Sequence, residues 1–137
     1  MKNSQKQLIL ELSKTDLLQE IGSELCSVKM IQKLRKKHSQ ELVTLALQIA
    51  EARQRTDRKF PNSDKLFFTP ELLEQASAHP VAMHRAELLS GFGTILDLGC
   101  AAGGDLTRFA IAGNEVVGIE RDTLSAELAQ YNIQALG

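Results

Sequence analysis

The chain has no tryptophan, one tyrosine and only two cysteines in 137 residues. Cys26 and Cys100 share no metal-ligand spacing, and two thiols are too few for a disulfide framework. A thiolate metal centre and a disulfide scaffold are therefore set aside, and no metal site is expected. No apolar stretch approaches the roughly 20 residues that span a bilayer. The polar start Met1-Lys2-Asn3-Ser4-Gln5-Lys6-Gln7 does not read as a signal peptide. The expectation is a cytoplasmic chain with no membrane partner. Internal repeats and low-complexity segments are absent as well.

Net charge is also small, −1, but it is unevenly spread. Residues 1–60 carry 12 Lys/Arg against 7 Asp/Glu, whereas residues 61–137 carry 4 against 10. A basic first half suits a polyanion such as RNA, or is simply a solvated helical surface. The apolar fraction of 43% is that of an ordinary globular chain.

Residues 1–60 read as helical throughout. Leu8, Leu12 and Leu17-Leu18 form one apolar stripe, with Gly22 as its stop. Leu25, Val28, Ile31 and Leu34 form a second, closed by Lys33, Arg35, Lys36, Lys37 and His38, cations that suit a helix C-terminus. Ser39 caps a third, whose Leu42, Leu45, Ala46, Ile49 and Ala52 share a face. Arg53, Arg55, Arg58 and Lys59 crowd its end, and Pro61-Asn62-Ser63-Asp64 breaks it. A helical connector, 61–92, follows. Thr69 can cap, Pro70 suits a first helical position, and Glu71 complements the dipole. Phe68 is placed to staple onto Leu73. That helix stops before Pro80, and Val81 to Leu89 gives another.

From residue 93 the period changes. Thr94-Ile95-Leu96-Asp97-Leu98 is a short apolar run, expected as a strand buried on both faces of a parallel sheet. Asp105 to Ala112 reads as a helix with Leu106, Phe109 and Ala110 inward. Glu115 to Ile119 reads as the second strand, and Asp122 caps a last helix carrying Leu124, Leu128 and Tyr131. The fold class is α/β: an N-terminal helical region, then the first βαβα unit of a Rossmann-like sheet, spanning 93–137 and incomplete.

The turn between the first strand and its helix is Gly99-Cys100-Ala101-Ala102-Gly103-Gly104-Asp105. Glycines there permit positive φ and a close approach of backbone to a ligand. Glu120, at the end of the second strand, stands 21 residues after Gly99, where a carboxylate can accept both ribose hydroxyls. Arg121 and Asp122 are placed to flank an adenine. Asp97 and Asp105 oppose a pyrophosphate but attract a cationic amino acid group. The glycine spacing also departs from G-x-G-x-x-G. Both points favour S-adenosyl-L-methionine as cofactor over NAD. A glycine-rich turn with no such ligand is the plain structural alternative. Cys100 reads as a small packing residue, since no base is paired with it.

Asp97 to Asp105 resembles motif I of class I S-adenosylmethionine-dependent methyltransferases. Val117-Gly118-Ile119-Glu120-Arg121-Asp122 resembles their acidic second-strand motif. Upstream, Lys59-Phe60-Pro61, Leu66-Phe67-Phe68-Thr69, Leu73-Glu74-Gln75-Ala76-Ser77 and Val81-Ala82-Met83-His84-Arg85-Ala86 are similar to bacterial methyltransferases with a THUMP-like domain. The Gly-Gly-Asp turn is also similar to the trimethylguanosine synthase group, which methylates guanine N2 on RNA. The resemblance covers about residues 42–137. It implies that Asp97, Gly99, Gly103 and Asp105 surround the methionine part and that Glu120 holds the ribose. Cys100, Ala101, Gly104 and Arg121 would complete the contacts, with Phe68 and Thr69 lying over the pocket.

The resemblance also implies parts this sequence lacks. The family has seven strands, and amino- or base-directed members carry an Asp/Asn-Pro-Pro-aromatic catalytic loop. The prolines here are Pro61, Pro70 and Pro80 only. The expectation is an N-terminal portion of an RNA methyltransferase, truncated and inactive alone, with no assignable catalytic residue. The alternative is a non-catalytic helical interaction or oligomerisation module, in which another copy covers the open sheet edge.

Overall fold

A computed structural model describes residues 2–22, 27–56, 59–61 and 63–136. Leu25, Cys26, Arg58 and Asn62 of the sequence reading lie outside the described residues. The rest form a mixed α/β chain, mostly helical, with a small parallel sheet. The helices are α1 (Lys2–Lys14), α2 (Leu17–Ile21), α3 (Val28–Lys37), α4 (Gln40–Thr56), α5 (Pro70–Gln75), α6 (His79–Leu88), α7 (Gly104–Ile111) and α8 (Thr123–Leu136). A short 3-10 turn, Ser63–Lys65, precedes α5. The strands are β1 (Thr94–Leu98) and β2 (Glu115–Ile119). They pair in parallel, with Thr94 opposite Glu115 and Leu98 opposite Ile119.

The core is built around α4. Leu42, Val43, Ala46, Ile49 and Ala52 are fully buried, and Leu45 nearly so. This is the expected stripe plus Val43, because α1, α2, α3 and α5 all pack on this helix. Each fully buried Leu or Ile contributes about 1.5–3 kcal/mol. Leu42 N donates to Ser39 Oγ at 3.2 Å, so the serine caps α4 as its sequence suggests. The first stripe is split into α1 and α2. The Ser13 and Thr15 hydroxyls donate back to the carbonyls of Leu10 and Leu12 there, a competition with the helix ladder that favours a break. Gly22 then closes α2 at φ 63°. On α3 only Leu34 of the second stripe is buried, while Val28 is exposed.

Pro80 stands inside the first turn of α6, which begins at His79. The sequence pattern puts that proline in the gap before the helix. A proline in the first turn loses no ladder hydrogen bond, so the helix starts earlier.

The sheet departs from expectation in its burial. Ile95 and Val116 face a cluster formed by Ala86 of α6, Leu106 and Phe109 of α7 and Ala129 of α8. On the other face Leu96, Leu98, Val117 and Ile119 are exposed. All three helices cover one side of the pleat, and no described element covers the other. A second, larger cluster joins α1, α2 and α4 to Phe60, Phe67, Phe68, Ala102 and Leu128. The strand-to-helix turn is thereby tied into the helical core.

Candidate functional site

The turn after β1 is held on every side. Gly99 N and Cys100 N both donate to Ile119 O, at 2.7 and 3.2 Å, fastening the turn to the end of β2. Ala101 N donates to Glu120 Oε2 at 3.0 Å. The amide of Asn132 donates to Ala102 O at 2.9 Å. Among the described residues Ala101 is the one non-glycine residue at positive φ, 48°, a conformation that costs roughly 1–2 kcal/mol. Its contact with Glu120 helps to offset that cost.

Gly99 and Gly103 adopt the positive φ expected of the turn. Gly99 sits at φ 82°, and a Cβ there would meet nothing within 4 Å. Its conformation, not crowding, requires glycine. A Cβ on Gly103 would lie 3.2 Å from Ala129 Cα, and one on Gly104 would lie 3.4 Å from Phe60 Cζ. Gly103 therefore makes room for α8, whereas a Cβ at Gly104 would meet the core at about ordinary contact distance. Gly104 also lines the hollow described below.

One end of the site is acidic. Asp105, in the first turn of α7, accepts from Arg85 Nη1 at 2.7 Å and from Ser77 Oγ at 3.0 Å, both at Oδ2. Its Oδ1 is buried and has no hydrogen-bond partner. Burial, then the neighbouring Asp105, push the Asp97 carboxyl above its ordinary range, and Arg85 pulls the other way. A hollow of about 100 Å³ lies here, lined by Phe68, Leu72, Ser77, Asp97, Gly99, Cys100, Ala101 and Asp105 among others. Cys100 is buried, and burial raises its thiol first, followed by Asp97 and Glu120. It packs in the turn as a neutral side chain, as the sequence suggests.

The other end is centred on Glu120. Its second oxygen, Oε1, accepts Asp122 N at 2.9 Å. That bond is the largest cause holding this carboxyl below its ordinary range, and the Ala101 amide adds to it. Each oxygen retains a lone pair for a further donor. Asp122 in turn caps α8, accepting Ser125 N and Ser125 Oγ, both at 2.8 Å. An open trough of about 700 Å³ runs past Thr69, Glu71, Ala101, Glu120, Arg121, Asp122 and Ser125. The trough and the hollow share Leu72, Gln75 and Ala101 as lining residues. Among the described residues no cluster of metal-ligating side chains occurs.

Thr69 both lines the trough and caps α5, accepting Leu72 N at 3.4 Å. Phe68 is buried and stacks on Phe60 with centroids 5.2 Å apart, yet it lines the hollow. Arg85 turns toward the site, whereas His84 is exposed on the same helix.

Three further residues bond or pack around the site: Asn132 and Arg108, which no sequence pattern marks, and Lys59, which the sequence marks as a cation at a helix end. Asn132 is fully buried on α8 and bridges Phe67 and Ala102. Lys59 Nζ donates to the carbonyls of Leu73, Glu74 and Ala76, closing the C-terminal end of α5 beside the hollow. Arg108 is buried on α7 with its guanidinium 5.5 Å from the Phe60 ring centre. Polar side chains carry no periodic signal, and the partners of Asn132 and Lys59 lie far along the chain.

Over 70 residues the chain is 39% identical to an uncharacterized S-adenosylmethionine-dependent methyltransferase of Mycobacterium tuberculosis, in strains CDC 1551/Oshkosh and H37Rv. The match takes in 51% of this chain and 19% of those proteins, so it spans about a fifth of the curated relatives' length. No family model matches, and no solved structure matches.

Proposed function

We propose that this chain supplies the S-adenosylmethionine-binding part of a class I methyltransferase that acts on RNA. On this reading it is of the bacterial type with a THUMP-like domain, related to the trimethylguanosine synthases. The observation that carries the reading is the placement of two acidic ends on adjoining hollows that meet at Ala101. The similarity to S-adenosylmethionine-dependent methyltransferases supports it.

The residues fit the cofactor. Asp105 Oδ1, buried and unpartnered, is an acceptor suited to an ammonium group, with Asp97 beside it. Glu120 is already oriented by two backbone amides and can accept ribose hydroxyls. Thr69, Arg121 and Asp122 line the side where a base would lie. When bound, S-adenosylmethionine supplies an electrophilic methyl group on a sulfonium. The chain's own contribution is orientation, which is where such a transfer gains most of its rate. Among the basic residues, Arg55 pairs with Glu51 and Glu74, and Lys59 is occupied by carbonyls. Lys29, Lys33, Arg35, Lys36 and Lys37 on α3 remain exposed for RNA phosphates.

Calorimetric titration of the whole chain with S-adenosylhomocysteine, alongside NAD, tests the cofactor reading. Saturable heat with the first and none with the second is expected. No heat with S-adenosylhomocysteine would refute it. A methyl-transfer assay on total RNA tests the substrate.

The apolar face of Leu96, Leu98, Val117 and Ile119 favours a second reading, an interaction module that self-associates. Light scattering after size exclusion separates the two: a concentration-dependent dimer with no cofactor heat is its signature.

A further inference from the structure

The acidic end of the site holds two carboxylates and one guanidinium, and the guanidinium comes from outside the turn. Arg85 reaches from α6 to bond both Asp105 Oδ2, at 2.7 Å, and Ser77 Oγ, at 2.8 Å. Ser77 closes the triangle with its own bond to Asp105 Oδ2 at 3.0 Å. All of Asp105's hydrogen bonding is thus drawn to one oxygen, while Oδ1 stays buried with no partner. Asp105 is the better buried of the pair, its side chain 23% exposed against 50% for Arg85. The pair therefore joins a half-exposed outer cation to a more buried inner anion.

We infer that Arg85 is a positioning residue for the ammonium of the cofactor's amino-acid end. It fixes the Asp105 carboxylate through Oδ2, leaves Oδ1 for the ligand, and offsets one of the site's two negative charges. The inference rests on the cofactor reading above. With Arg85 present, one guanidinium stands against the Asp97 and Asp105 carboxyls, which leaves acceptors for the ammonium of the cofactor's zwitterionic amino-acid end.

The other groups at this end do not substitute for it. Phe68, Leu72 and Ala76 bring no charge, the Cys100 thiol is pushed up and neutral, and Glu120 lies at the far end against Ala101 and Asp122. Asp97 is already pushed up by burial and by Asp105, with Arg85 as the opposing influence. Without the guanidinium, the influence that lowers the Asp97 carboxyl is lost and that carboxyl is pushed up further. A protonated carboxyl no longer pairs with an ammonium, so binding becomes pH-dependent.

The test is calorimetric titration of S-adenosylhomocysteine into wild type, Arg85→Met and Arg85→Lys between about pH 6 and pH 8, a range where free carboxyls stay ionised. Wild type and Arg85→Lys give flat affinity profiles. Arg85→Met binds about tenfold more weakly at the acid end, and the gap closes at the alkaline end. If Arg85→Met does not fold, Arg85→Gln carries the same comparison. A variant profile parallel to wild type, whether shifted or not, overturns the inference while leaving the cofactor site standing. Absence of wild-type binding overturns the cofactor reading itself, and this inference with it.

Discussion

Asn132 and Phe67 hold each other through both backbone groups of the phenylalanine. Phe67 N donates to Asn132 Oδ1 at 2.7 Å, and Asn132 Nδ2 returns a bond to Phe67 O at 2.9 Å. The same Nδ2 reaches Ala102 O. One fully buried amide on the last helix thus fixes the segment before α5 and the glycine-rich turn together. Those are the two walls of the site.

Asn132→Leu removes all three bonds and strands buried backbone groups. A loss of about 2–4 kcal/mol follows, read from the midpoint of urea unfolding. Asn132→Asp keeps the acceptor and loses the donors, so it is also destabilising. Loss of the walls' alignment also weakens S-adenosylhomocysteine binding in either variant that remains folded.

Gly118→Ala and Gly99→Ala separate crowding from conformation. A Cβ at Gly118 would lie 2.6 Å from Leu106 Cδ2 and 2.8 Å from Cys100 Sγ. Overpacking of this kind costs about 1–3 kcal/mol. Gly99 has open space and pays only for its positive φ, about 1 kcal/mol. Thermal unfolding of the two variants ranks them, with Gly118→Ala the less stable.

Asp122→Ala removes the α8 cap, with a loss of about 1 kcal/mol at pH 7. The Ser125 amide is the first cause of the lowered Asp122 carboxyl, and the Ser125 hydroxyl the second. A folded-state value below the unfolded one means the stabilisation is complete above the ordinary aspartate value of about 3.9 and disappears as pH falls through the folded value. Wild type and variant therefore differ in unfolding midpoint at neutral pH and converge in strong acid.

Leu98→Lys replaces a side chain that is 72% exposed on the open sheet face. Monomer stability changes by about 0.5 kcal/mol or less. Leu128→Ala, by contrast, empties a fully buried site and costs about 2–5 kcal/mol. Sedimentation of Leu98→Lys also reports on self-association: a shift toward monomer identifies this face as the contact.

Local signals were legible in the sequence. Both strands were bounded correctly, and the caps at Ser39, Thr69 and Asp122 form as expected, because each depends on residues within one turn. Burial of the sheet was not legible. A continuous apolar run states that both faces are apolar, and it does not say which face the neighbouring helices will cover. The types and spacing of Asp97, Asp105 and Glu120 mark them in the sequence, and the structure sets the first two on one hollow and Glu120 on the adjoining trough. The supports of this site were not legible. Asn132 meets Phe67 across 65 positions, and Arg85 meets Asp105 across 20. The positive φ of Gly99 and Gly103 follows the turn reading, whereas the packing of Gly103 against Ala129 of the last helix has no local signal.

The central claim is that the carboxylate after β2 and the acidic pair beside the turn hold one ligand together. The most direct measurement is calorimetric titration of S-adenosylhomocysteine into wild type, Glu120→Ala and Asp97→Ala, each checked for retained helix content by circular dichroism. One-to-one binding by wild type, weakened about tenfold or more by either substitution, is the predicted result. No binding by wild type, or equal binding by wild type and both variants, would contradict it.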